Sequence, residues 1–290
     1  LRILSSGSGL TYGRAAYQMR LREATLGVAY AHIDYKFGRE FKPLDARGVA
    51  DVVSLYGSYP IIRSRKTNLS VRAAYDYRTF EDKIGVIGSS THERAHVVTF
   101  GLAGDNRDRF LGGGWTSFTA DLSVGDHHIK TPLLRAADAV TARTEGGYQK
   151  LWIDVSRLQA LAGPLSLYVR VRGQLASQNL DSSEKMGLGG PYAVRAYSEG
   201  EVYGDQGYVA TAELHVNLPP LSEKIGGQVT ASAFVDQGFV KINKNPWAPG
   251  DNDRALSAAG VGLNWADNRS LMVKLEAAWR LGDERSVSFP

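Results

Sequence analysis

Cysteine is absent from all 290 residues, which removes disulfides and thiol nucleophiles. The absence suits an exported protein and equally suits many small soluble domains. Also missing is any uninterrupted apolar run of about 18 residues, the length that a spanning helix needs, so a helical membrane protein is excluded. Transmembrane strands escape that test, because only alternate residues meet lipid while the others face a polar lumen. Leu1-Arg2-Ile3-Leu4 offers no initiator methionine, charged leader or small-residue cleavage site, and the expectation is a fragment or a processed chain. No Ser/His/Asp order, paired-carboxylate cleft or Cys/His nucleophile is present, so no enzymatic activity is expected. No motif calls for a cofactor.

Glycine and tyrosine are plentiful, at 32 and 14 residues, which suits many strands and turns with aromatic residues near interfaces. The net charge of +4 is spread along alternating strands and forms no single patch, so no nucleic-acid partner is expected and a basic lumen accounts for it. Period-two alternation runs from end to end in units of about ten residues, divided by polar turns and loops. Leu165, Leu167, Val169, Val171 and Leu175 fall on one face and Ser166, Tyr168, Arg170, Arg172 and Gln174 on the other. The same split recurs at Ala210, Ala212, Leu214, Val216 and Leu218 against Thr211, Glu213, His215 and Asn217. Strands are expected near 1–8, 10–21, 24–38, 48–62, 67–82, 92–104, 114–126, 145–160, 163–178, 208–218, 225–241, 255–266 and 270–282, with a stub at 285–290. That is too many long strands for a sandwich. Short turns such as Leu161-Ala162-Gly163-Pro164 and Ala266-Asp267-Asn268-Arg269 contrast with long stretches at 179–207 and 242–254, the short-periplasmic, long-extracellular asymmetry of outer-membrane barrels. Tyr59-Pro60-Ile61-Ile62-Arg63-Ser64 is read as another short connection, with Pro60 closing its strand.

The residues from Asn179 to Gly238 carry the sharpest signal. Asn179-Leu180-Asp181-Ser182-Ser183-Glu184-Lys185 leads through Leu188-Gly189-Gly190-Pro191 to Val194-Arg195-Ala196-Tyr197, and Phe234-Val235-Asp236-Gln237-Gly238 follows two strands later. In wording and order this resembles the outer-membrane transporters of two-partner (type V) secretion, the haemolysin secretion/activation and filamentous-adhesin export family. The resemblance implies an all-β, transmembrane antiparallel β-barrel. The family barrel has sixteen strands behind two POTRA domains, and the present chain would hold strands three to fifteen and the start of sixteen. Residues 1–290 are then a single incomplete barrel domain, without the POTRA domains and first strands, and gapped where those strands are missing.

What the resemblance implies for function is a pore in the outer membrane of a Gram-negative bacterium, embedded in its bilayer, that passes a large secreted exoprotein to the cell surface. The alternatives are a barrel-protein insertase of the same superfamily, or a soluble glycan-binding or adhesion-type β-protein. Alternation places Phe234, Asp236 and Gly238 on the lumen side of their strand. In the family, the arginine corresponding to Arg195 sits on a loop folded back into the barrel and pairs with the aspartate corresponding to Asp236. Arg195, Asp236, Val194, Tyr197, Phe234 and Gly238 are therefore the expected tether, with a gating role set against simple bracing of the wall. Gly187, Gly189 and Gly190 permit the loop's bends and Pro191 stiffens it. Ala196 stands where the family has glycine and would be strained at a positive φ.

Other candidates carry less. Gly204, Asp205 and Gly207 read as a turn leading into the next strand, since one carboxylate falls short of a calcium cage. His127 and His128 adjoin Asp126 and offer metal donors, but a solvated loop is the expected role and no metal site is expected. Gly7-Ser8-Gly9-Leu10-Thr11-Tyr12-Gly13 lacks the spacing of a nucleotide loop and reads as a strand connection.

Overall fold

The computed structural model describes residues 1–7, 9–36, 46–85, 88–219, 226–267 and 271–282. Its strands are β1 (Arg2–Ser5), β2 (Leu10–Leu21), β3 (Ala24–Lys36), β4 (Ala46–Arg63), β5 (Thr67–Ile84), β6 (Ser89–Asp108), β7 (Gly114–Ile129) and β8 (Gly146–Ala160). They continue with β9 (Leu165–Ala176), β10 (Met186–Leu188), β11 (Val202–Gly204), β12 (Gln206–Leu218), β13 (Gln228–Lys241), β14 (Asp253–Ala266) and β15 (Met272–Leu281). Thirteen of them form one antiparallel sheet, in chain order except that β9 pairs directly with β12, while β10 and β11 form a separate hairpin. Among the described residues β1 and β15 are the two edges of the sheet. The expected stub at 285–290 lies outside the described residues, as do parts of the turn after Asp267 and of the Gly7–Gly13 connection.

Each wall strand separates an apolar side from a polar one. In β9 the outward Val169, Val171 and Leu175 are exposed while Gln174 on the opposite side is buried. Phe100, Leu122, Val124, Val235, Leu275 and Trp279 are likewise exposed, a band that water would not tolerate and lipid covers. The inward side carries ion pairs instead. Arg72 on β5 reaches Asp121 on β7 at 2.8 Å because Gly101, between them on β6, offers no side chain to block the contact. The sheet curls, since one cavity of about 710 Å³ is lined by Arg20, Thr25, Ser58, Ser70, Ser156 and Arg170 from β2 through β9. Val229 departs from the pattern: alternation sends it outward, yet it is buried at the end of β13 opposite Trp265.

The longest described connections lie at one rim of the sheet. Arg22–Glu23, Ser64–Lys66 and Leu161–Pro164 close one rim, whereas 130–145, 177–205 and 242–252 extend from the other. Pro60 does not close its strand. It lies inside β4 at a register shift between Pro60 and Ile62, where a bulge spares the ladder the N–H that proline lacks. The connection after β7 holds a helix absent from the sequence reading, α1 (Pro132–Val140), with Pro132 in its first turn. Asp138 folds the return, accepting from the Thr144 N–H and hydroxyl at 2.9 Å and the Glu145 N–H at 3.0 Å.

Candidate functional site: the infolded loop

The chain between β9 and β12 turns inward and packs on the lumen side of the wall. Met186, Leu188, Ala193, Val194 and Tyr197 of the loop join Val209, Val240, Leu256 and Ala258 of β12, β13 and β14 in one buried cluster. Leu180 joins a second cluster, with Ala95, Val97, Tyr148 and Ala176. The loop is thus a small folded body with its own hairpin. Its apolar side is removed from water, which favours the docked position.

Gly238 shows how close the packing is. A Cβ at that position would lie 2.8 Å from Val194 Cγ2 and 2.9 Å from Leu188 Cδ2. Gly189 and Gly190 take φ of 87° and 95°, and the Gly190 N–H donates to Tyr197 O at 2.9 Å. Gly187 instead lies in β10 with no positive φ, and Pro191 is exposed at the loop tip beside Tyr192. Ala196 adopts φ 71°, a region that costs a residue with a Cβ about 1 kcal/mol or more.

Arg195 is the centre of the charge arrangement. Its Nε and one Nη donate to the two carboxylate oxygens of Asp236 at 2.7 and 2.8 Å, and its backbone N–H adds a third contact at 3.2 Å. The other Nη reaches Glu213 at 2.8 Å and Glu276 at 2.7 Å. Cζ stands 3.3 Å from the centroid of the Phe234 ring, so the guanidinium is held edge-on by carboxylates and face-on by a π-system. Asp236 is fully buried and also accepts from the Thr211 hydroxyl at 2.9 Å. Burial by itself would depress the Arg195 pKa, but the hydrogen bond and charge of Asp236, followed by Glu213 and Glu276, overcome it and raise the value further. The guanidinium stays charged.

The sheet register assembles this site. Thr211 pairs with Asp236 and Glu213 with Phe234 across β12 and β13. Phe234 faces Gly260 on β14, whose missing side chain leaves room for the ring. Glu276 then reaches over β14 from β15. The roles of Glu276 and Glu213 as partners of Arg195 were not expected from the sequence; Gly262, opposite Glu276 on β14, was the available signal, since a Cβ there would lie 3.3 Å from Glu276 Cγ.

Three further anchors hold the loop. Glu184 is buried between Arg78 of β5 and Lys150 of β8. Asp205 sits at the bend between β11, which Gly204 ends, and β12, in which Gly207 lies. The buried Asp205 carboxylate accepts from the Leu180 N–H at 3.1 Å and the Lys244 N–H at 2.7 Å and meets Lys185 Nζ at 3.1 Å. Asn179 donates to Ala142 O at 2.6 Å and Asn245 O at 2.9 Å, tying the three long connections together. The histidines are also corrected: both lie in β7, His127 buried and His128 on the opposite face against Asp126 at 2.8 Å.

Residues 12–265 match the family described as haemolysin secretion/activation protein ShlB/FhaC/HecB. The chain belongs to this family. It is 25% identical over 255 residues to the heme/hemopexin transporter protein HuxB of Haemophilus influenzae, covering 87% of this chain and 44% of that protein. The outer membrane transporter CdiB of Dickeya dadantii is also 25% identical, over 274 residues, with 92% and 46% covered. The chain therefore spans somewhat under half the length of these relatives. Among solved structures, CdiB from Acinetobacter baumannii superposes with a TM-score of 0.69 at 20% identity, over 97% of this chain and 48% of that one. BamA from Haemophilus ducreyi gives 0.66 at 14% identity, over 96% and 60%. The fold is that of an outer-membrane β-barrel, and the chain is a protein of the outer membrane.

Proposed function

We propose that this barrel is the conduit of a two-partner secretion transporter, which passes a large secreted exoprotein across the outer membrane to the cell surface. The observation that carries the reading is the loop from 177 to 205: it lies against the inward side of β5, β8, β9, β12, β13 and β15, where an exported chain has to pass. Its anchors are ionic and its packing is tight, a combination that permits two discrete positions more readily than gradual deformation. Arg195 and Asp236 set the docked position, and release of that pair is the gating step. Translocation needs no nucleotide, because folding outside buries apolar surface and disfavours re-entry. Family membership and the transporter names of its relatives support the same reading. The likeness to BamA is one of fold, and the exposed apolar band opposes a soluble adhesion-type protein.

The test is secretion of the cognate exoprotein by cells carrying Arg195→Ala or Asp236→Ala. Each substitution should sharply reduce export while the barrel still inserts and still migrates in a heat-modifiable manner. Wild-type export by both variants would remove the pair from the mechanism.

A further inference from the structure

His127 is buried on the lumen side of β7, with an acceptor at each ring nitrogen. Nε2 stands 2.8 Å from Glu93 Oε2 and Nδ1 stands 3.4 Å from the carbonyl oxygen of Thr144. A neutral imidazole has one N–H to give, so it satisfies one of these acceptors and turns a lone pair on the other. Both are satisfied in two ways: by a second proton, or by a cation at Nε2 while Nδ1–H donates to the carbonyl. Asp181, at the root of the infolded loop, adds a second carboxylate, and donor atoms of Glu93, His127 and Asp181 all lie within 4.8 Å of one another. Asp181 Oδ1 accepts from the Ser183 N–H and hydroxyl, and Oδ2 carries no hydrogen bond among the described residues.

We propose that Glu93, His127 and Asp181 form a site for a divalent transition-metal ion of the zinc class. One imidazole and two carboxylates make a borderline donor set, which suits zinc better than calcium or magnesium, whose ligands are oxygens throughout. The ion takes the place of the Nε2 proton, which leaves to solvent. The Nδ1 contact to Thr144 O is then the outer hydrogen bond that aims a ligating histidine. Zinc donors sit about 3.3 Å apart in a tetrahedron, so binding draws the carboxylates inward through side-chain torsions. A cavity of about 320 Å³ lined by Glu93, Asp181, Asp138 and Lys185 opens beside them and leaves room for water ligands. Lys185 does not neutralise the carboxylates, because its Nζ is committed to Ile242 O at 2.7 Å, Asn243 Oδ1 at 3.1 Å and Asp205 at 3.1 Å. Since the donors come from β6, β7 and the loop, the ion clips the loop's root to the wall at a point remote from Arg195.

The site is tested by dialysing the detergent-purified chain against zinc chloride and measuring bound metal by mass spectrometry. Wild type and His128→Ala should retain about one zinc per chain, since the three donors make one site. Asp181→Asn and His127→Ala should bind at least roughly tenfold more weakly, with heat-modifiable migration showing that each barrel is folded. Asp181 lies on the loop, so its variant reports even where His127→Ala disturbs the wall. Zinc bound equally by Asp181→Asn and wild type, or not bound by wild type at micromolar free ion, overturns the proposal and leaves the export reading untouched.

Discussion

Arg195 is one cation among three carboxylates, and the arithmetic of removing it differs from that of removing any one partner. Loss of the guanidinium leaves Asp236 buried without a counter-charge, a situation that costs about 3–5 kcal/mol when one member of a buried pair is deleted. Loss of Glu213 or Glu276 leaves Arg195 still bidentate on Asp236. Protease cleavage within residues 177–205 should therefore accelerate strongly in Arg195→Ala, and only slightly in Glu213→Gln or Glu276→Gln. Arg195→Lys should fall between, because an ammonium keeps the charge and gives up the fork and the stacking on Phe234. Equal cleavage rates for Arg195→Ala and Glu213→Gln would show that the charge is shared evenly instead of centred on Asp236.

At the scale of elements, the wall strands were legible because lipid on one side and a polar lumen on the other impose strict alternation, and each strand expected between residues 1 and 282 has a counterpart in the sheet. Pro60 was misplaced because a bulge admits proline without ending the strand. Helix α1 and the hairpin of β10 and β11 are short and lie outside the alternating pattern, so periodicity could not find them. His127 was read as solvated because β7 runs further than its apolar alternation does. The Arg195–Asp236 contact was legible through the motif, whereas the position of the loop rests on left-handed backbone that composition only hints at. Gly189→Ala places a Cβ at φ 87° against Ser198 O and should undock the loop, costing at least about 1 kcal/mol. Ala196→Gly relieves the strain at an exposed position and should protect the loop from protease. An Ala196→Gly loop that is cleaved faster than wild type would contradict the strain assigned to residue 196.

For the whole molecule, the two faces of the wall make opposite predictions that unique thiols can read, since the chain has no cysteine. Cysteines at Ser166, Thr230 and Lys274 should react with charged reagents that enter the pore, and cysteines at Val169, Leu214 and Val273 should resist them. The reverse pattern would invert the barrel. The most direct measurement fixes the loop in place. A Cβ at Gly238 lies 2.8 Å from Val194 Cγ2, which puts the two Cβ positions within the reach of a disulfide, about 3.5–4.5 Å. Val194→Cys with Gly238→Cys, oxidised in the membrane, should stop exoprotein secretion, and a reductant should restore it. Secretion at the wild-type rate through fully cross-linked barrels would show that the loop does not have to move.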